Sequence, residues 1–319
     1  MNILTKTDFN NLNEKFDEII NEPVEKIIVE TTFPNLDTLN DSNTPYNIKC
    51  AILFIDIRDS TGLVNEVGTK KAVKIYRSFM KMAVKCVRCC GGNTRQFLGD
   101  RIMGVFLDDK ESDENPISAV EKALNAAKSM NTVLDYSLNP KLSKNSKKFL
   151  TYGIGIGYGP ALITKVGMKS KGKTREWGDV WIGNVTNYAS KYADLAKQGE
   201  IFIGEKAYSK LNETIKSEYD FKEEKRYKNG KYYTGYITKN QYLDYCDELC
   251  DKFEYPVKNT KSRKKENDYD LLIELNKKND EIYSLKKDIK NLEYKLSKKS
   301  DELNDYKLNL IKRRVELYK

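Results

Sequence analysis

Two aspartates, Asp56 and Asp100, are the side chains best placed by their surroundings to do chemistry. Asp56 sits in the apolar run "LFIDI" at 53–57, and Asp100 sits in "FLGDRIMG", at the turn between two apolar runs. Singly, each has a plain explanation: a strand that has reached the surface, and ordinary Gly-Asp turn chemistry. Jointly, two carboxylates at the ends of neighbouring strands can share a pair of divalent ions, which stabilise the attacking and leaving oxygens of a phosphoryl reaction. The chain contains no histidine. That removes Ser-His-Asp and Cys-His catalysis, HExxH zinc sites and histidine phosphorelay together. A metal held here takes oxygen ligands, which favours Mg²⁺ or Mn²⁺.

The elements that must position these residues are legible as periodicity and punctuation. A strand at 49–57 carries Asp56. A helix at 69–90 follows, with Ala72, Ile75, Phe79, Met82 and Val87 on one face, ended by Gly91-Gly92. Runs at 93–98 and 102–107, separated only by "GDR", predict a hairpin with Asp100 in its turn. A second helix at 116–135 starts behind Asn115-Pro116, and "SLNPKLSKNSKK" reads as a polar loop. Strands are expected at "FLTYGIGIGYG", 161–167 and 178–182, then a helix at 183–196 and the strand "EIFIGE". Residues 219–237 read as strands with Asn229-Gly230 at a hairpin tip, and 239–252 as a helix. The order predicts an α+β fold, βαββαβ on a mostly antiparallel, ferredoxin-like sheet.

Around this core, 1–45 holds a short amphipathic helix (8–20) and a loop, "FPNLDTLNDSNTPYN". Residues 46–255 form the main domain, 256–267 a basic linker and 268–319 a coiled coil. Leu275, Ile282, Ile289, Leu296, Leu303, Leu310 and Leu317 recur every seven residues, a heptad seam.

Three stretches, "LFIDIRDST", "GDRIMGVF" and "VWIGNVTNYASKYA", resemble the catalytic domain of class III nucleotidyl cyclases, in the family's order and over roughly 46–210. "GDVWIGNVTNYASK" and the loop "FPNLDTL" are most similar to the pyrimidine cyclases of bacterial Pycsar anti-phage systems. The resemblance implies a palm-like fold, a homodimer with active sites at its interface, two metal ions per site, and conversion of a nucleoside triphosphate to its 3′,5′-cyclic monophosphate. It also implies a separate cyclic-nucleotide-binding effector and a defence role. Uridylate is slightly favoured over cytidylate chemistry. Asp56, Asp100 and the Ile57 carbonyl are then expected to hold Mg²⁺ or Mn²⁺. The turn containing Arg58, Ser60, Thr61 and Gly62 offers a phosphate cradle. Asn187 is expected to position the ribose. Lys191 stands where purine cyclases carry an arginine, a point charge in place of a fork. The adenine-reading lysine and aspartate of adenylyl cyclases are replaced by Gln96 and Val180, leaving Gln96, Arg95, Asp179 and Trp181 as base contacts.

Other readings carry less. "GMKSKGKT" spells a P-loop, but "REWGDVW" does not open the helix that a P-loop needs, so a hairpin turn is expected. Adenylate or guanylate cyclisation, a degenerate nucleotide-binding head and an inert coiled-coil dimer are the alternatives. The net charge of +9 is spread among interleaved acids and bases, so no nucleic-acid partner is expected. No apolar stretch is long enough to span a membrane and the N-terminus lacks a signal-peptide pattern, so a cytoplasmic enzyme with reduced cysteines is expected.

Overall fold

The computed structural model describes residues 3–24, 27–110, 112–146, 148–169, 175–239, 241–249, 251–256 and Lys299. Its elements are α1 (Lys6–Asn21), β1 (Ile28–Glu30), β2 (Tyr46–Ile57), α2 (Ser60–Val67), α3 (Thr69–Cys89), β3 (Asn93–Leu98) and β4 (Arg101–Phe106). Then come α4 (Ala119–Val133), a π-helical turn (Leu134–Leu138), α5 (Asn139–Ser146), β5 (Tyr152–Lys169), β6 (Arg175–Ile182), α6 (Asn184–Leu195) and β7 (Glu200–Gly204). Short helices α7 (Glu205–Tyr208) and α8 (Glu213–Glu218), strands β8 (Lys222–Lys228) and β9 (Lys231–Lys239), and α9 (Tyr245–Leu249) complete the order. By packing, the chain divides into two units, 1–228 with 232–254, and 229–231 with 255–319. Apart from the β8–β9 tip, everything that follows lies in the first. The predicted linker beyond 256 and the heptad seam lie outside the described residues.

The sheet runs β3-β4-β2-β5-β7-β9-β8, with β1 beside β2 and β6 beside β5. Its first four strands pair antiparallel in the order expected of a βαββαβ ferredoxin-like core. Strand β2 is buried on both faces from Cys50 to Ile57, which is why it reads as a continuous apolar run. Leu53 and Ile55 pack with Phe79, Phe106 and Leu124 under α3 and α4. Ile52 and Phe54 pack with Met103, Ile163, Trp181, Val185 and Ala189 against α6. Alternation along the strand puts Asp56 on this second face.

Four expectations need correction. "SLNPKLSKNSKK" is helical through Ser146, not a loop. Pro140 suits the first turn of a helix, and buried Asn139 fastens it by exchanging hydrogen bonds with the backbone of Leu150 (3.0 and 2.8 Å). The two strands expected around Pro160 are one strand, β5. Pro160 stands opposite Lys49 of β2, and on its other edge falls between the stretch paired to β7 (154–156) and that paired to β6 (162–169), so its lost N–H interrupts neither of those two ladders. The polar turn 58–62 begins a helix, α2. The helix expected at 239–252 shrinks to Tyr245–Leu249.

Alternate residues of β5 are glycines pressed against α6. A Cβ built on Gly155 would lie 2.0 Å from the Ala193 nitrogen, one on Gly157 2.8 Å from the Val185 carbonyl, and one on Gly153 2.0 Å from the Arg58 guanidinium. The helix therefore rides on bare backbone. Further along, fully buried Glu200 of β7 accepts from Arg226 of β8 (2.5 and 3.2 Å), the Lys197 backbone (2.6 Å) and Lys239 of β9 (3.1 Å).

Candidate active site

The strand ends bring the two aspartates to one end of the sheet. Asp56 lies opposite Arg101 of β4 and Gly153 of β5. Asp100 occupies the β3–β4 turn behind Gly99, whose φ of 66° favours glycine. The Ile57 N–H donates to the Asp100 carbonyl at 3.4 Å, tying the turn to the end of β2.

Asp56 is 9% exposed, and its Oδ2 accepts from Arg101 Nη2 at 2.7 Å, with Arg58 Nη1 at 3.7 Å. Arg101 also reaches Asp194 (2.5 Å) and Ser190 (2.5 Å) on α6, and Lys228 pairs with Asp194 at 2.8 Å. Burial alone would raise the Asp194 carboxyl, but Lys228 and Arg101 outweigh it and hold it below the usual carboxylate range. Arg101, Ser190 and Asp194 were not singled out by sequence. The available signal was spacing: Asn187, Ser190, Lys191 and Asp194 fall on one stripe of α6.

Among the described residues, no three His, Cys, Asp or Glu side chains gather as a metal cage. Two carboxylates and a backbone carbonyl are the donors that the end of the sheet provides. That set fits Mg²⁺ or Mn²⁺, since such ions bind through one or two carboxylates and complete their shells with water and substrate phosphates.

The phosphate-cradle candidates separate. Ser60, Thr61 and Gly62 form the first turn of α2, whose N-terminal N–H groups and dipole suit an anion. Asp59 caps that turn from a left-handed conformation (φ 51°), and its carboxylate accepts from the Gly62 N–H at 3.2 Å. Arg58 turns away. Its guanidinium donates to the carbonyls of Ala193 and Ala196 (2.7 Å to the latter), capping the end of α6. Burial lowers Arg58, while Asp56, Asp194 and Asp100 push it back up, so all three carboxylates act on it.

On α6, Asn187 is exposed and Lys191 half-buried, and neither side chain has a hydrogen-bond or ion-pair partner among the described residues. The four base-contact candidates come together. Gln96 Nε2 donates to the Asp179 carbonyl at 3.4 Å, and Trp181 Nε1 donates to Asp179 Oδ2 at 3.0 Å. The Arg95 guanidinium lies 5.7 Å from the Trp181 ring and 5.5 Å from the Phe33 ring. A register shift between Thr94 and Gln96 leaves Arg95 without a β4 partner. Such a bulge re-aims a side chain that strict alternation would send to the opposite face. Burial lowers Arg95, opposed by Asp179, and its Nε is buried without a hydrogen-bond partner. Trp181, 4% exposed, belongs to the core on the α6 face, so it walls this region rather than lying open to it. Val180 and Ile182 point the other way and are 37% and 53% exposed.

A cavity of about 830 Å³ lies elsewhere, beside Gly157, Gly183, Tyr188, Tyr192 and Tyr233. It contains none of the candidate residues.

The family model for the adenylate and guanylate cyclase catalytic domain matches residues 43–240. The chain is similar to a uridylate cyclase of Gulbenkiania mobilis, 33% identical over 196 residues, which cover 59% of this chain and 72% of that protein. It is similar to uridylate cyclases of Burkholderia cepacia, 30% identical over 190 residues (58% and 77%), and Treponema porcinum, 28% over 219 residues (66% and 71%).

Proposed function

Since the chain belongs to the adenylate and guanylate cyclase catalytic domain family, we propose that it is a pyrimidine nucleotide cyclase, converting UTP to 3′,5′-cyclic UMP and pyrophosphate. CTP is the second substrate to consider. The geometry that carries the reading is the placement of Asp56 and Asp100 at one end of the sheet, with Asn187 and Lys191 on α6, whose side chains have no partner among the described residues.

Divalent ions held by Asp56, Asp100 and the Ile57 carbonyl would acidify the 3′-hydroxyl and neutralise the triphosphate. The chain's own groups do the rest. Arg101 and Arg58 pair with Asp56 and hold its carboxylate in place at the end of β2. The first turn of α2 receives phosphate oxygens, and Asp59 must yield the Gly62 N–H as it does so. Asn187 orients the ribose, and Lys191 brings positive charge to the reacting phosphorus. Gln96 can both donate and accept, as a pyrimidine edge requires. Val180 replaces the family's adenine-reading aspartate with a side chain that carries no acceptor, and Asp179 already gives its Oδ2 to the Trp181 N–H, so an adenine amino group pairs less well here than a pyrimidine edge.

The cavity lies apart from these groups. The family resemblance supports a head-to-tail homodimer in which Asp56 and Asp100 of one subunit meet Asn187, Lys191 and Gln96 of the other. The role of the product as a defence signal, read by a separate effector, rests on the motif resemblance.

Incubation of the protein with each of the four NTPs and Mn²⁺, with products identified by mass spectrometry, tests the reading. UTP or CTP should turn over at least about tenfold faster than ATP or GTP, a gap of only ~1.4 kcal/mol. Preferential cAMP or cGMP formation overturns the pyrimidine assignment.

A further inference from the structure

The whole-chain charge balance, which argues against a nucleic-acid partner, averages over a helix on which charge is segregated. Helix α3 carries lysine or arginine at seven positions and no aspartate or glutamate. Lys70, Lys74, Arg77, Lys81, Lys85 and Arg88 follow one another at spacings of four and three, so they form a single stripe about 27 Å long. All six are exposed, and none has an ion-pair partner among the described residues. Like charges at this spacing repel, and nothing described in the chain offsets them.

A second observation points to the same face. Beside the C-terminal half of α3 runs a groove of about 680 Å³, floored by Met80, Val133 and Leu138 and edged by Lys81, Lys85 and Arg88. Phe97 of β3 stands in its wall, 60% exposed. A track of cations with an exposed aromatic ring beside it is the arrangement that takes up a single-stranded backbone and stacks its bases.

We propose that this face binds single-stranded nucleic acid, with phosphates along the α3 stripe and bases against Phe97 and the apolar floor. A lipid surface fits less well. The apolar side of α3, including Ile75, Phe79 and Val87, is buried in the core, so the helix has no face to insert. Duplex DNA would engage the stripe but leave Phe97 unused. The surface contains no residue assigned to cyclisation, and Phe97, which follows Gln96 in β3, alternates to the opposite face of the strand.

The test is fluorescence anisotropy of the full chain with labelled ~20-nucleotide single-stranded RNA and DNA, from about 50 to 200 mM salt. Six phosphate contacts predict a slope of log K against log salt near about −4. The triple variant Lys74→Glu, Lys81→Glu, Lys85→Glu should lose at least about tenfold in affinity and flatten the slope. Phe97→Ser should weaken single-strand binding severalfold without changing the slope. Both variants should keep the wild-type melting temperature and nucleotide turnover, which separates a failure here from failure of the cyclase reading. The proposal is overturned by absence of oligonucleotide binding at the lowest salt, by undiminished binding in the triple variant, or by binding to phosphatidylserine vesicles but not to oligonucleotides. Equal affinity of wild type and Phe97→Ser overturns the stacking contact.

Discussion

Arg101 is the hinge of the arrangement at the residue scale. One guanidinium serves Asp56 on β2 and both Asp194 and Ser190 on α6, so the proposed metal ligand and the helix bearing Asn187 share a partner. Asp56→Asn keeps an acceptor for Arg101 and should preserve the fold. It should still cost roughly a hundredfold or more in turnover, because metal stabilisation is worth several kcal/mol. Asp100→Asn should do the same, and Mn²⁺ titration followed by electron paramagnetic resonance should show weakened binding in both. Full activity in either variant would sink the two-metal reading. Arg101→Gln instead leaves two mostly buried carboxylates without their shared counter-charge. A loss on the order of 3 kcal/mol in urea unfolding is expected. Arg101→Lys should recover only part of it, since a single ammonium nitrogen cannot span acceptors on both β2 and α6 as the guanidinium fork does.

Among the elements, the Glu200 cluster staples β7, β8 and β9. Burial alone would raise the Glu200 carboxyl, but Arg226, the Lys197 backbone and Lys239 hold it below the usual carboxylate range. A carboxyl depressed on folding contributes stability that is present above its unfolded value and lost as pH falls through its folded value. Glu200→Gln should therefore destabilise clearly at neutral pH, by about 3 kcal/mol. The difference from wild type should shrink below about pH 4, and melting curves at several pH values would check it. A pH-independent difference would deny the ion pairs their role. Elements set by local chemistry were legible in the sequence: the β3–β4 turn from "GDR", the end of α3 from Gly91-Gly92, and the β8–β9 tip from Asn229-Gly230. Those set by distant partners were not. Asn139 makes a helix of an apparent loop through its bonds to Leu150, β5 continues past Pro160 because β2 pairs across it while β6 and β7 leave a gap on the other edge, and the shift at Arg95 is a property of the β3–β4 pairing. Within the site, the aspartates and the α6 stripe could be read from spacing, whereas the capture of Arg58 by α6 could not, since it joins residues 135 and 138 positions apart.

For the whole molecule, the proposed shared site makes a statement about mixtures. Asp56→Asn and Asn187→Ala chains, each inactive alone, should regain partial turnover when mixed, because half of the sites in a mixed dimer would be intact. Native mass spectrometry would establish that subunits exchange, and exchange without recovered activity would rule out sites drawn from two chains. Averages over the molecule mislead in the opposite sense: a charge of +9 distributed evenly says little, while six cations in single file on α3, without ion-pair partners among the described residues, define a surface.

The alternating glycines under α6 can be restated in the language of mutation. Every missense change at the codons for Gly153, Gly155 and Gly157 adds at least one carbon to a space already occupied by a helix backbone or by Arg58. These codons should behave in a saturation library like invariant ones, with synonymous changes accepted and all others purged. The apolar positions between them, Ile154 and Ile156, should exchange freely with valine or leucine. Selection on this strand would thus leave a two-residue rhythm of permission and refusal, readable from variant counts before any assay of cyclase activity.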